Sequence, residues 1–255
     1  MALRVGIVGG TGFYSLPSVE PIDVETPYGA VVLGRTKLGG REAFFLPRHG
    51  SRHERPPHRV NHRANIAALA SAHCDYVIGV LNAGSLVKAV RPGAWGAMVD
   101  FVNLHRTGLH TFFEDRAVHV DFSEPVCPHV WAGLDAGGAR HKFTYAGVDG
   151  PRFETPAETR LLTSSGAHVV GMTGVPEATL AHEKGLCYGA LVFVGNYATG
   201  IGPGTTAQAI QEKLVDERGK LVKVLGAAVR KLATTKTCRC AQAAGRADIT
   251  VEAMP

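Results

Sequence analysis

No run of apolar residues in this chain approaches the ~18–20 that a membrane-spanning helix requires. The N-terminus also lacks the basic-then-apolar profile of a secretory signal, so a cytoplasmic enzyme is the expectation. Lysine and arginine outnumber acidic residues by 27 to 22, yet they are scattered and form no basic stripe. That excess suits an anionic small molecule and gives no case for nucleic acid. Five cysteines (Cys74, Cys127, Cys187, Cys238 and Cys240) are an odd count, which argues against a secreted disulfide framework. Cys238 and Cys240 flank one residue, and no second Cys or His pair follows them, so reduced thiols and no metal are expected. No linker or repeat divides the 255 residues, and at 45% hydrophobic and 19% charged they suit one soluble unit with a sizeable core.

What is present is an alternation of buried strands and helices. Strands are predicted in "RVGIVGGTGF" (4–13), "EAFFLPRHG" (42–50), "YVIGVLNAGSL" (76–86) and "GAWGAMVDFVN" (93–103), and in the stretch ending "LVFVGNYATG" at residue 200. "NHRANIAALASAH" (61–73) has helical spacing, with Ile66, Leu69 and Ala70 on one face. "PAETRLLTSSGA" (156–167) reads as a helix ending at Gly166. Residues 168–185 read as strand, turn and helix, and 205–233 as a long amphipathic helix containing Gly219 and Gly226. The tail from Thr234 reads as irregular. The expectation is a single α/β domain with a mixed central sheet flanked by helices. Small and polar residues gather after strands, at 10–12, 47–53, 81–85, 172–173 and 196–200, where α/β folds keep their ligands.

The turn "GGTGF" offers backbone amides and the Thr11 hydroxyl as an oxyanion or phosphate cradle. A dinucleotide-binding oxidoreductase is the rival use of this turn, but "GGTGFYSLPS" has neither the third glycine of that fingerprint nor the helix it opens. "PRHGSRHERPPHRVNHR" (47–63) carries four His and five Arg directly after a strand. There Arg48 can hold two phosphate oxygens in a fork, with the His49 imidazole beside it as a further donor. Metal spacing such as H-E-x-x-H is absent.

"GIVGGTGF", "LPRHG", "VNHRANIAAL", "TFFED", "EPVCP", "GPRFETPAE" and "GMTGVPEATLAHEKGLCY", with the strand ending on Asn196, resemble the methylthioadenosine phosphorylases. These belong to the trimeric purine nucleoside phosphorylases. The motifs run in family order from residue 4 to about 200. The resemblance implies phosphorolysis, in which orthophosphate attacks the anomeric carbon of a nucleoside and frees the purine, with inorganic phosphate as co-substrate and no cofactor. It assigns phosphate to Thr11, Arg48, His49, the backbone around Asn82, and Thr173. It stacks Phe153 on the base and sets Met172 under the ribose. It also brings His119 to the 5′ end of the sugar from a neighbouring subunit, hence a homotrimer with shared sites.

Methylthioadenosine phosphorylases usually carry Asp where Asn196 stands, and a second Asp where this chain has Ala198. A carboxylate suits the 6-amino group of adenine. An amide can instead donate to O6 of a 6-oxopurine and accept from N7–H. Glu154 matches a position where adenine-preferring relatives commonly carry Ser and 6-oxopurine phosphorylases carry Glu, an acceptor for N1–H. Ala209 and Ile210 fall near the point where ribonucleoside phosphorylases carry a His for the 5′-hydroxyl, and an apolar group there accepts a methylthio or deoxy end. Together these point to methylthioinosine, with methylthioadenosine, inosine and guanosine as alternatives. Leu81 replaces a Thr or other small residue and would lose a phosphate contact, Ser51 replaces an Arg, and His62 replaces a Tyr. These departures leave a specialised biosynthetic enzyme or a non-catalytic binding trimer as further readings.

Overall fold

Strand β1 (Arg4–Gly9) owes its place to side-chain alternation: Val8 packs on one side of the sheet, Val5 and Ile7 on the other. The computed structural model, which describes residues 3–14, 16–106 and 110–244, sets β1 parallel to both β4 (Arg41–Pro47) and β5 (Tyr76–Ser85). Antiparallel strands β2 (Glu20–Val24) and β3 (Val31–Leu38) extend the sheet beyond β4. On the other side, β5 pairs with β8 (Val169–Gly171), which continues through β7 (His141–Gly147) and β6 (Trp95–Asn103) to β9 (Cys187–Tyr197). Because β9 also pairs in parallel with β5, these five strands close into a ring at one end of a nine-stranded mixed sheet.

Helices cover both faces. On one, α1 (His62–Ser71) and α4 (Gly174–Glu183) pack Ile66, Leu69, Val175 and Leu180 against Val77, Leu81, Tyr188 and Val192. On the other, α2 (Pro128–Ala136) and α5 (Ala207–Lys231) pack Val130, Leu134, Leu221 and Leu225 against Tyr76, Ile78 and Leu191. α3 (Pro156–Ser164) opens with a capping box: Glu158 N–H donates to Thr155 Oγ1 at 3.2 Å, and Thr155 N–H donates to Glu158 Oε2 at 2.8 Å. Such a cap contributes about 1 kcal/mol. Arg152 grips the same Glu158 carboxylate at 2.7 Å and holds it near pKa 2. Part of "GPRFETPAE" is therefore local architecture that fixes the loop carrying Phe153 and Glu154.

The predicted strands and helices all form, and α5 runs unbroken through Gly219 and Gly226. The helix over 61–73 is buried almost all round rather than on one face. Among the described residues, β2, β3, α2, β7 and a 3-10 turn at Pro57–Arg59 were not predicted. Of the tail, residues 240–242 form a short 3-10 turn, and 245–255 lie outside the described residues. No described helix is long and apolar enough to cross a membrane.

Candidate active site

The parallel strands β1, β4, β5 and β9 end on the same side, and a cavity of about 430 Å³ opens there. Thr11 reaches it from the turn after β1, and Arg48 and His49 from the end of β4. Asn82 comes from β5, Asn196 from β9, and Thr173 from the N-cap position of α4. Phe153 and Glu154 enter from the loop before α3, Met172 from the turn after β8, and Ile210 from the first turn of α5. Ten of the twelve residues singled out in the sequence therefore share one cavity.

The two exceptions are informative. Ala198 is buried one layer behind the wall, with its N–H on Ser85 O at 2.8 Å. His119 is exposed and lies off the lining of this cavity.

At the phosphate end the expected Arg48 fork needs correction. Arg48 is fully buried, and its Nε and Nη2 hold both carboxylate oxygens of Glu177 (Nη2–Oε2 2.9 Å). Nη1 donates to Val80 O at 2.9 Å and faces Gly10, where a Cβ would run into it. The fork is spent inside the protein. Burial works against the guanidinium charge, but Glu177 overcomes it and holds Arg48 charged. The Tyr188 hydroxyl adds a third donor to Glu177 at 3.0 Å. With its charge balanced by Glu177, what Arg48 has left for the cavity is one spare N–H on Nη1.

His49 is held neutral, its pKa pushed down to about 4 by burial and then by the Arg48 charge. Its Nδ1 sits 2.8 Å from Arg55 O and so carries the proton, leaving Nε2 as an acceptor and not the further donor expected from the sequence. Thr173 is buried and its side chain caps nothing, so its hydroxyl is free for a ligand beside the positive end of α4. Leu81 does not lose a contact here. It is buried in the core against Gly174, while its neighbour Asn82 faces the cavity. Ser51 is exposed and off the lining.

At the other end Phe153 is 51% exposed on the lining, a free aromatic face. Glu154 is buried, which raises its pKa. Asn196 is aimed by a bulge: Ala83 pairs with Val194 and Gly84 with Asn196, so Gly195 is the extra residue. Gly195 is needed because a side chain there would meet Asn82 Oδ1 and Ile210. Asn196 Nδ2 donates to Tyr197 O at 2.7 Å, leaving its second N–H and its carbonyl oxygen.

Sequence reasoning missed Glu177, His53 and Gln211. Glu177 is the acid inside the otherwise apolar "GVPEATLA", which is a readable signal. His53 packs tilted against His49 with ring centroids 4.6 Å apart, and Gln211 adds a polar group next to Ile210. His62 lines an adjoining hollow of about 750 Å³ together with His58, His105 and His110, and its Nδ1 has no hydrogen-bond partner among the described residues.

A buried cation, a free hydroxyl and a helix N-terminus at one end, with an aromatic face, a carboxyl and an amide at the other, fit an anion and a flat heterocycle. Comparison with known proteins agrees. Residues 4–231 match the family model described as the phosphorylase superfamily. The "Probable 6-oxopurine nucleoside phosphorylase" of Moorella thermoacetica is 39% identical, covering 97% of this chain and 100% of the relative. The "Probable S-methyl-5'-thioinosine phosphorylase" of Methanothermobacter thermautotrophicus is 38% identical over 96% and 90% of the two chains. Among solved structures, methylthioadenosine phosphorylase from Schistosoma mansoni in complex with adenine superposes with a TM-score of 0.87 at 25% identity, covering 96% of each chain.

Proposed function

The chain belongs to the phosphorylase superfamily and is a purine nucleoside phosphorylase, and on that premise we propose that its substrate is a 6-oxopurine nucleoside with a 5′-deoxy-5′-methylthio sugar, methylthioinosine. The observation that carries this reading is that Glu154 and Asn196 line the same cavity. An acceptor together with an amide matches N1–H and O6 of hypoxanthine or guanine, whereas adenine presents the reverse edge. Ile210, buried on the same lining, supports an apolar 5′ group.

In this reaction the C1′–N9 bond breaks, a phosphate oxygen bonds to C1′, and the departing purine takes up a proton. Positive charge grows on the sugar and negative charge on the base. In our reading Thr11, Arg48 Nη1 and Thr173 donate to phosphate below the sugar, His49 Nε2 accepts from a protonated phosphate oxygen, and Met172 lies beneath the ribose. Phe153 stacks on the purine while Asn196 donates to O6 and accepts from N7–H, stabilising the leaving base. With Arg48 already neutralised by Glu177, the helix end and neutral donors carry more of the anion binding than a free guanidinium would. His119, exposed and off its own chain's cavity, supports a homotrimer in which it serves a neighbour's site. Phosphate is then the co-substrate, and the enzyme acts in the cytoplasm.

A panel crossing adenine, hypoxanthine and guanine with 5′-hydroxyl and 5′-methylthio sugars tests the proposal. Methylthioinosine should give the highest kcat/KM, and cleavage should depend on phosphate concentration. A preference for methylthioadenosine would sink the base assignment, and phosphate-independent cleavage would mean a hydrolase.

A further inference from the structure

Four of the five cysteines, far apart in sequence, meet at one point of the fold. Cys127 precedes α2, Cys187 begins β9, and Cys238 and Cys240 lie in the segment after α5. Their four sulfurs all lie within 4.8 Å of one another, and Cys187 Sγ is 3.4 Å from Cys238 Sγ. Cys127, Cys187 and Cys240 are buried and Cys238 is half-buried. A tetrahedral zinc ion with Zn–S bonds of about 2.3 Å sets its sulfurs about 3.8 Å apart, so only small side-chain movements would complete the shell.

Backbone donors and a cation surround the cluster. Cys127 sits at the N-terminus of α2, where the first-turn N–H groups of His129 and Val130 approach its sulfur. Lys236, paired with Asp75 at 2.9 Å, lies next to Cys187 and Cys238. These are the features of a site for a soft divalent cation: sulfur-only donors, four of them, three buried and one half-buried, with N–H donors and a cation outside.

We propose that Cys127, Cys187, Cys238 and Cys240 form a structural zinc site. Binding replaces thiol protons, which leave to solvent, by four Zn–S bonds and requires no oxidant. The ion would clamp the segment after α5 to the start of β9 and to the first turn of α2. That segment otherwise rests on contacts such as Asp121 N–H to Ala243 O (3.1 Å) and Thr237 N–H to His129 Nε2 (3.0 Å). Nothing ties the site to phosphorolysis, because Cys187 and Asn196 stand nine residues apart along β9, roughly 30 Å at the rise of a strand.

The full-length protein, purified under reducing conditions and dialysed, is assayed for metal by mass spectrometry. The expected result is about one zinc per chain. Replacement by cobalt(II) should give intense sulfur-to-metal charge-transfer bands and the visible bands of a tetrahedral ion. Cys238→Ser should lose most of the zinc, whereas Cys74→Ser, outside the cluster, should keep it. Zinc-free protein with four alkylatable thiols in the cluster overturns the proposal. So does zinc-free protein whose non-reduced mass shows disulfides among these residues. Both readouts come from the wild-type chain and stand even if a variant fails to fold.

Discussion

Arg48 and Glu177 are each other's principal partner: both are essentially sealed from solvent, and two guanidinium nitrogens meet two carboxylate oxygens. A buried pair of this kind adds little over an apolar packing of the same volume, but losing one member strands the other charge at a cost of about 3–5 kcal/mol. Glu177→Ala should therefore destabilise the protein by that amount in chemical denaturation and lower the KM for phosphate, because the guanidinium freed from its carboxylate is left to the anion. A loss below about 1 kcal/mol would show that water reaches the pair.

His49 makes stability depend on pH. In the unfolded chain an imidazole titrates near 6.5, while in the fold His49 resists protonation down to about 4, chiefly through burial and then the Arg48 charge. The unfolded state thus binds more protons between these values, and stability falls as pH drops from about 6.5 to 4, then levels off. His49 alone accounts for about 3 kcal/mol of that loss. His62, His105, His110 and His182 shift in the same direction, again mainly through burial, and add to it. Melting temperatures across this range should show the decline, and His49→Gln should flatten it.

The shared-site trimer has a direct test in mixed subunits. Sedimentation should give three times the chain mass of 27.0 kDa. His119→Ala should lower kcat/KM for the nucleoside by a few-fold to about tenfold, in line with losing one packing or weak polar contact at the 5′ end. Co-expressed His119→Ala and Asn196→Ala chains should regain part of the activity that either lacks, because some interfaces pair two intact contributions. A lack of recovery would confine each site to one chain.

Much of this was readable beforehand, because the site hangs on strand ends. β-branched runs that stop on glycine, arginine–histidine or asparagine mark where a parallel sheet delivers polar groups, and the cavity is built from those stops. Less readable was anything fixed by long-range pairing. Whether Arg48 faces phosphate or a carboxylate depends on Glu177, 129 residues away. Leu81 and Asn82 are neighbours on opposite faces of β5, and only the register says which one meets ligand. The cysteine cluster was hidden for the same reason, since local spacing reveals only Cys238 and Cys240. β3 and β7 carry Gly, Thr and Lys within their runs and show little apolar pattern until a neighbouring strand completes them.

In the proposed function, base choice turns on Asn196. Its Nδ2 already donates to Tyr197 O, so one N–H and the carbonyl oxygen remain to read the purine. Asn196→Asp removes both N–H donors. The carboxylate then faces O6 acceptor to acceptor, and it also repels the Tyr197 carbonyl that the amide had satisfied. Each unpaired buried polar group costs ~1–3 kcal/mol, so kcat/KM for methylthioinosine should fall roughly tenfold to several hundredfold. Methylthioadenosine should gain less than methylthioinosine loses, because Glu154 in the same cavity still opposes adenine N1. Burial raises the Glu154 pKa, so its carboxyl protonates more readily than a free one and can then donate to N1. The gain for adenine in Asn196→Asp should accordingly grow as pH is lowered, and Glu154→Ser added to it should remove that pH dependence. If Asn196 served only to cap the strand, Asn196→Asp would lower the melting temperature and leave the ratio of the two kcat/KM values where it stood.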